Sequence, residues 1–405
     1  MRLQEFASKI SYKQRWFSVS YEDFTARFDE VRSQYNVMAL VGNGFDIQVL
    51  SNLEAQTDTR YESFYHYLKY RKFSPDNCIF KEMQRLLEEG ASNWSDVEYA
   101  ISSLLSVRKI KPQVISDNLK QIQREFSSFL DQTVTPDVLV RLGDAAVSGN
   151  HTILSFTEFL GDVKDPGEYN KMILPSRLNI GDLFNYRFIN FNYTTLLDDF
   201  IYLDQTQFDP HPYKLSDRNI DFHPNPRGYS GSSERTDFTM VGYLVSDVVH
   251  PHGIQYVPRS LLFGVDDIDG SGRKLAKPYW AQNEVKYGRL FSETDLFIIF
   301  GCSLGQTDRW WWHAIIDGLK EKDEAELILY WRQEVSVGRG CLVEADLRKR
   351  FAEAAGYNAG NSEVMDVLDR KMRVVLYDDK TERAWLNTAT DTLPSWASKH
   401  NLPSF

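Results

Sequence analysis

The stretch VMALVGNGFD, residues Val37–Asp46, decides the fold of this chain. An apolar run of strand length that stops at two closely spaced glycines predicts a buried parallel strand opening into a tight turn. In doubly wound α/β sheets this first turn often receives a phosphate or a ribose, because glycine lets the backbone come close and the next helix begins with free N–H groups. Gly42 and Gly44 lack the third glycine of the dinucleotide fingerprint, since Ile47 stands three residues after Gly44. The turn alone leaves open whether the glycines bind a ligand or only bend the chain.

The composition bounds the class of protein. The 405 residues are 42% hydrophobic and 14% aromatic, which excludes a disordered chain. This length provides a core for roughly two to three domains, or for one α/β domain with a large insertion. The net charge of −11 argues against a broad nucleic-acid surface, although it leaves room for a local basic groove.

Cysteine usage and hydropathy predict a reducing, aqueous setting. The three cysteines are scattered and form no C-x-x-C pair, which excludes a cysteine zinc site of the usual spacing and indicates no disulfide framework. The N-terminal residues contain no apolar core of signal-peptide length, and no window approaches the roughly 18 apolar residues of a membrane span. We therefore expect a cytoplasmic protein without a membrane partner.

Hydrophobic periodicity divides the chain into four parts. Apolar residues at three and four spacing, with few Gly or Pro, predict helices after the first strand-turn-helix unit. Ser95 and Glu98 have the spacing of a capping box at the start of one of these helices. The predicted parts are a helical lead-in (1–36), the first strand, turn and helix of the α/β core (37–60), a helical insertion (61–150), and the remainder of the core (151–405) with a long loop near 204–237.

Further strands are predicted downstream, and they alternate with helices. This alternation predicts an α/β fold with a Rossmann-like, mostly parallel sheet and helices on both faces. The predicted strands are Phe188–Phe191, TMVGYLVSDVV from Thr239, SLLFGVDD from Ser260, DLFIIF from Asp295, AELILYW and MRVVLYDD.

Several of these strands end in a small or polar cluster. The clusters are GNGFD (Gly42–Asp46), FNYT (Phe191–Thr194), HPHG (His250–Gly253), FGVDD (Phe263–Asp267) and GCSLGQTD (Gly301–Asp308). Ligands of open α/β sheets bind beyond the carboxyl ends of the strands, where these clusters would converge. The repeated pattern predicts one ligand site.

The ordered set of GNGFD, W-S-D-V-E (Trp94–Glu98), FNYT, HPHG, FG and G-x-SLG-x-x-D resembles the AbiH family of bacteriophage abortive-infection proteins over Val37 to His313. The same order is similar to that of the sirtuin-like NAD-binding fold. The resemblance implies an antiphage effector that binds and hydrolyses NAD or a related nucleotide. It further implies a phage-derived or host protein as trigger, and a homo-oligomer or a second defence subunit as partner.

The resemblance also assigns roles to residues. Asn192 would match the catalytic Asn and His252 the catalytic His, while Gly301 and Ser303 would form the adenosine-side turn. Two departures are Asn43, between glycines that usually flank a small residue, and Thr194, where sirtuin-like sequences carry Asp. The residues implied to contact the nucleotide are Gly42, Asn43, Gly44, Phe45, Asp46, Thr194, Gly253, Gly301, Ser303 and Asp308.

Nicotinamide release needs a group that orients the ribose and a base that removes a proton. His252 is the preferred base because its ordinary pKa lies near neutral pH, with His250 as a competitor two residues away. Asp46 could bind a ribose hydroxyl or cap its helix, and Asp308 could contact the ligand or cap the helix that follows. Trp94, Asp96 and Glu98 are interpreted as helix packing and capping.

Two other functions stay open at this stage. A metal-dependent nuclease or phosphohydrolase could use Asp46, His252, Asp266 and Asp308, because carboxylate oxygens and imidazole nitrogens bind Mg²⁺ or Mn²⁺. A non-catalytic module could sense a nucleotide and signal to another chain through the helical insertion. Neither the sequence nor the resemblance assigns a resident metal.

Overall fold

The computed structural model describes residues 19–202, 220–229, 239–265, 275–333, 340–358 and 360–396. Within them the strands form one seven-stranded sheet in the order β3-β4-β2-β1-β5-β6-β7. The strands are β1 (Gln34–Val41), β2 (Leu183–Asn190), β3 (Ile220–Phe222), β4 (Met240–Val249), β5 (Leu296–Phe300), β6 (Glu326–Arg332) and β7 (Met372–Tyr377).

The apolar run Val37–Val41 forms most of the central strand, β1. β1 pairs in parallel with β2 on one side and with β5 on the other. Every pair of neighbours is parallel except β3 and β4 at one edge. The predicted mixed α/β fold with a mostly parallel sheet is therefore confirmed. The chain extends the sheet on one side of β1 through β2 and β4, then crosses to the other side at β5.

Fifteen α-helices lie between or beside these strands in the described residues. They are α1 (Gly44–Asn52), α2 (Tyr61–Tyr70), α3 (Cys78–Glu88), α4 (Val97–Ser106), α5 (Pro112–Thr133), α6 (Pro136–Ser148), α7 (His151–Glu158), α8 (Pro166–Tyr169), α9 (Leu174–Arg177), α10 (Leu196–Phe200), α11 (Lys277–Ala281), α12 (Asn283–Glu293), α13 (Arg309–Glu321), α14 (Gly340–Ala354) and α15 (Ser362–Lys371). Short 3₁₀ turns occupy Phe159–Asp162, Pro258–Ser260, Gln306–Asp308 and Thr390–Thr392.

Both faces of the sheet are covered by helices. Alternate residues of β1 point to opposite faces, so Val37 and Ala39 pack with α1, α6, α7 and α10 in one core. Met38 and Leu40 pack with α12, α13, α14 and α15 in a second core. A strand buried on both faces must be apolar throughout, which explains the unbroken VMALV run.

A third core lies inside the helical insertion. Helices α2 to α5 enclose Phe64, Phe126 and Phe129, whose rings contact one another. Tyr193, after β2, and Phe263 pack their rings against Phe126 from outside the insertion. The insertion is thus joined to the sheet by aromatic side chains that follow β2 and β4. Helix α6 packs instead against the sheet, through Val138, Leu142 and Ala146.

The structure differs from the sequence prediction at the start of the chain. Residues 19–33 form turns and extended chain where a helix was predicted, and β1 begins at Gln34. The Asp23 carboxylate accepts from the Thr25 hydroxyl and the Ala26 amide, which closes a turn in place of a helical one. Residues 1–18 of the predicted lead-in lie outside the described residues.

A prediction further along was also wrong. Residues 260–265 of SLLFGVDD do not join the sheet: they make one bridge, between Val265 and Ala276, and Leu261 and Phe263 pack in the core of the insertion. An apolar run reports burial without stating which partner provides it. Ile220–Phe222 forms an edge strand inside the predicted long loop, most of which lies outside the described residues.

Ser95 was predicted to cap α4, but in the structure the cap is Asp96. The Asp96 carboxylate accepts from the amides of Glu98 and Tyr99. The Glu98 side chain therefore takes no part in a capping box and points elsewhere.

Among the described helices, none is both long and apolar enough to cross a membrane.

Candidate functional site

A cavity of about 510 Å³ lies at the carboxyl ends of β1, β2 and β5 and is closed on one side by the helical insertion. This volume is within the range of small-molecule sites. Ten of the twelve residues expected at the site line it: Gly42, Asn43, Gly44, Asp46, Asn192, Thr194, His252, Gly301, Ser303 and Asp308. Four of the five predicted clusters, GNGFD, FNYT, HPHG and GCSLGQTD, therefore converge on one space, whereas no described residue of FGVDD lines it.

Phe45 and Gly253 do not line the cavity, and each has a structural role. The Phe45 ring is fully buried against the rings of Phe200 and Phe300 in the core. Gly253 has φ +90°, and a Cβ there would lie 2.1 Å from the backbone oxygen of Ser260. Only glycine fits this turn, which directs the preceding His252 toward the cavity.

The glycines of the first turn meet the backbone of the turn after β5. A Cβ on Gly44 would lie 2.6 Å from the Cα of Gly301, and one on Gly42 would lie 2.7 Å from its carbonyl oxygen. The amides of Gly42, Gly44 and Phe45 donate to the carbonyls of Phe300, Gly301 and Gly42 respectively. These three N–H groups are therefore engaged by the protein, and close contact between the turns is itself sufficient to require both glycines.

Asn43 joins the turn to the start of the insertion. Its amide oxygen accepts from the Thr59 hydroxyl at 2.5 Å, and its amide nitrogen donates to the Thr59 carbonyl at 3.3 Å. This side chain positions the cavity wall through Thr59.

Asp46 lies at the centre of one wall, where it is 1% exposed. One carboxylate oxygen accepts from Asn192 Nδ2 at 2.8 Å, and the other accepts from Thr194 Oγ1 at 2.6 Å. Burial raises the pKa of Asp46 to about 7, although both hydrogen bonds favour the ionised form. Thr194 therefore provides a donor to Asp46 at the position where a sirtuin-like sequence carries Asp.

The Asn192 amide nitrogen is also engaged. It donates to Asp46 and also to the Gly42 carbonyl, at 3.2 Å. Asn192 lines the cavity, and its Oδ1 is an acceptor that a ligand there could use.

The two candidate histidines have different surroundings. His250 lies 3.0 Å from Asp198 through Nε2 and 3.3 Å from the Asn192 carbonyl through Nδ1, and it does not line the cavity. Burial lowers the pKa of His250, but Asp198 outweighs burial and the net shift is upward. His250 contacts the Asn192 backbone, whereas His252 is the histidine that lines the cavity.

His252 is buried and stacks on the Phe191 ring with 5.0 Å between centroids. Its Nε2 lies 3.4 Å from Asp308 Oδ1. Burial, together with the positive charge of Lys277, lowers the pKa of His252 to about 3 despite Asp308. The imidazole is therefore neutral at pH 7 and has one ring nitrogen that can accept a hydrogen bond.

Lys277 completes the opposite wall, and sequence reasoning missed it. Its ammonium lies 2.9 Å from Glu98 Oε1 and 3.0 Å from Asp308 Oδ1. The ammonium therefore bridges the two carboxylates, and each ion pair stabilises a buried charge. Asp308 precedes α13 without making a side-chain cap, so the ion-pair role replaces the predicted capping alternative.

The charges of Lys277, Asp308 and Glu98, together with their burial, set the protonation state of each of these groups. Burial lowers the pKa of Lys277, but Asp308 and Glu98 outweigh it and hold the ammonium charged. Burial raises the pKa of Asp308, but the nearby Lys277 ammonium outweighs burial, so the net shift is downward and the carboxyl stays ionised. Burial raises the pKa of Glu98 to about 7 against the attraction of Lys277. One ammonium thus compensates one of two carboxylates.

Several other cavity residues were not predicted from the sequence. Tyr61, Phe126 and Leu130 come from the insertion, while Trp331, Arg332 and Tyr377 come from the ends of β6 and β7. The predicted strands AELILYW and MRVVLYDD also lead into polar residues, as the strands before the other clusters do. Arg332 directly follows the first of them, so it could have been predicted from the sequence. Lys277 offered no such signal, because it belongs to a five-residue helix far from any strand end.

The residues considered for a metal site are only partly described. Asp46 and His252 lie in different walls, and Asp266 lies outside the described residues. Within the described residues, no group of three or more His, Cys, Asp or Glu side chains is arranged to hold a metal ion.

Comparison with known proteins adds one match. A family model described as "Bacteriophage abortive infection AbiH" matches residues 38–330, which includes the second half of β1, β2 to β5, the helical insertion and most of β6. Among curated proteins and among solved structures, no match was found.

Proposed function

The chain belongs to the AbiH family of bacteriophage abortive infection proteins, and we propose that it acts in this defence by hydrolysing NAD or a related nucleotide in the cavity. The bond cleaved is the one between nicotinamide and ribose. A phage-derived or host protein triggers the reaction, and loss of the nucleotide stops growth of the infected cell.

The observation that carries the proposal is the position of the cavity in the sheet. The six parallel strands, numbered by themselves, follow the order 3-2-1-4-5-6. This is the order of doubly wound sheets that bind dinucleotides in the crevice where the chain changes direction. The cavity lies at that point, between the ends of β1 and β5. Fold and position favour a nucleotide, and the side chains must account for the chemistry.

The walls suit a ligand rich in hydroxyl groups. The carboxylates of Glu98 and Asp308 line the cavity, each has acceptor capacity beyond its ion pair with Lys277, and ribose hydroxyls are donors of the right kind. A cluster with one excess negative charge also attracts the positive charge that develops on a ribose as nicotinamide leaves. Arg332 also lines the cavity; its guanidinium is 60% exposed and pairs with Asp379, and a phosphate could bind the N–H groups that this ion pair leaves free.

His252 and Asn192 would orient the ribose. The neutral imidazole accepts from a ribose hydroxyl, and Asn192 Oδ1 accepts from a second hydroxyl or from water. Phe191 and Tyr193 exclude bulk water on either side of His252, which strengthens each of these interactions.

Purified protein, alone and with lysate from infected cells, is incubated with NAD, and nicotinamide is quantified by chromatography. We expect release by wild-type protein and a thermal shift on NAD binding, with both reduced in His252→Ala. Absence of both release and thermal shift would show the proposal wrong. Stable binding of intact NAD without release would instead support the nucleotide-sensing function.

A further inference from the structure

We propose that Glu98 is a catalytic residue of this hydrolysis: its carboxylate takes the proton of the attacking water, while the Asp308 carboxylate faces the positive charge developing on the ribose. The inference rests on the proposed function and assigns a chemical role to a residue that the sequence analysis interpreted as helix packing.

Glu98 enters the cavity from the helical insertion. It lies at the start of α4, its side chain is 9% exposed, and it lines the same space as His252 and Asn192. Because Asp96 caps α4, the Glu98 side chain has no capping role. Glu98 Oε1 is paired with the Lys277 ammonium, and the remaining lone pairs of the carboxylate are available as acceptors in the cavity.

Lys277 holds Glu98 and Asp308 on either side of one ammonium. Its Nζ is within 3.0 Å of an oxygen from each carboxylate. Glycoside-cleaving sites commonly use two carboxyl groups, because one handles a proton and the other faces an oxocarbenium-like carbon. Lys277 fixes the geometry of both while neutralising only one charge. It is therefore a positioning residue.

The other acids and bases of the cavity suit the proton transfer less well. Both oxygens of Asp46 already accept hydrogen bonds, from Asn192 and Thr194. His252, with its pKa lowered to about 3 by burial, is a weak base at neutral pH. The pKa of Glu98, raised by burial to about 7, matches the working pH, where general-base catalysis is most effective.

The step balances in atoms and electrons. The water oxygen forms a bond to ribose C1′ as the bond from C1′ to the nicotinamide nitrogen breaks. The bonding electron pair neutralises the positively charged pyridinium, which leaves as nicotinamide. The proton of the water passes to Glu98 and then to solvent, and the product is ADP-ribose.

Groups from five elements, including its own helix, set the electrostatic environment of Glu98. Lys277 of α11 favours the carboxylate form, whereas Asp308, before α13, and Asp96, at the cap of α4, disfavour it. Tyr61 of α2 and Tyr193 after β2 face the same carboxyl as neutral phenols. Because the carboxylate is the active form, we expect activity to rise with pH through about 7.

The test compares Glu98→Gln with Glu62→Gln, an exposed control on α2 of the same insertion, in the full chain. NAD hydrolysis is measured between about pH 5.5 and pH 9. For Glu98→Gln we expect kcat to fall by roughly 100-fold or more, KM to stay within about threefold, and the rising limb near pH 7 to disappear. Glu62→Gln should match wild type.

Thermal unfolding identifies any variant that fails to fold. Should Glu98→Gln unfold, Glu98→Asp decides the matter, because it keeps a carboxylate and should keep the rising limb. A folded Glu98→Gln with wild-type kcat and pH profile, or a folded Glu98→Asp without the limb, overturns the inference while leaving NAD hydrolysis intact. Wild-type protein that releases no nicotinamide overturns the proposed function itself.

Discussion

Gly44 is the residue at which the turns after β1 and β5 touch. We expect Gly44→Ala to lower the free energy of unfolding by about 1–3 kcal/mol, because the new Cβ would lie 2.6 Å from the Gly301 Cα and backbone cannot move aside cheaply. Chemical denaturation measures the change. Gly143→Ala in helix α6 is the control, since its Cβ meets nothing closer than 3.8 Å and should be neutral or stabilising. Equal stability of the two variants would contradict this close contact.

Asp46 should make stability depend on pH. Its folded-state pKa of about 7 lies above the ordinary value of 3.8, so the folded protein holds a proton that the unfolded chain releases. The resulting stability is fully present below about pH 4 and is lost as pH rises through about 7. The loss is on the order of 4 kcal/mol at 1.36 kcal/mol per pKa unit.

Denaturation of wild type and Asp46→Asn between about pH 4 and pH 8 tests this. We expect wild type to lose stability relative to the variant as pH rises. The exposed Asp137→Asn should run parallel to wild type, because its side chain is 79% exposed. A constant difference between wild type and Asp46→Asn across this range would show that the Asp46 pKa is not raised.

At the scale of the element, the start of α4 separates two candidate caps. Asp96→Ala should destabilise the protein by about 0.5–2 kcal/mol, because the amides of Glu98 and Tyr99 lose their acceptor. Ser95→Ala should cost less than about 0.5 kcal/mol, since Ser95 does not cap the helix in the structure. Urea denaturation of both variants gives the comparison, and a larger cost at Ser95 would restore the capping box predicted from sequence.

Helix α5 carries the core of the insertion through Phe126, which is 2% exposed. Phe126→Ala should cost about 3–5 kcal/mol, because it leaves a cavity among several aromatic rings. Val114→Ala on the same helix is a control, since Val114 is 45% exposed and should change stability by less than about 0.5 kcal/mol. Denaturation followed by tryptophan fluorescence measures both, and similar costs would contradict the packing of this core.

At the scale of the whole molecule, the cavity requires the sheet and the insertion together. Glu98 comes from the insertion, Asp308 from the end of the sheet, and Lys277 joins them. A site built from separate elements forms only when they pack together. The ligand should therefore stabilise the insertion against the sheet, as any ligand that binds only the folded state does.

The cellular consequence is a test of the molecule as a whole. On phage infection, cells with wild-type protein should lose NAD and stop growing, whereas cells with His252→Ala should keep both NAD and growth and release phage. Immunoblotting confirms equal protein levels. Protection by His252→Ala equal to that by wild type would remove this histidine from the mechanism.

Much of the fold followed from local pattern. The apolar runs within β1, β5, β6 and β7 are buried on both faces, and strands buried in this way are mostly apolar. SLLFGVDD shows the limit of the same signal, because Leu261 and Phe263 are buried by the insertion and not by a neighbouring strand. An apolar segment predicts its own burial, whereas the element that buries it depends on residues distant in the sequence.

Some residues of the candidate site could likewise be predicted from the sequence, and others only from the tertiary structure. Sequence by itself determined that Gly42, Asp46, Asn192, His252 and Asp308 would meet, because each follows a strand whose carboxyl end lies at one edge of the sheet. Only the tertiary structure decided that Lys277 and Glu98 join them. The charge balance and proton affinities of the cavity then depend on how deeply these groups are buried and which charges lie within about 3 Å, and no spacing along the chain encodes either.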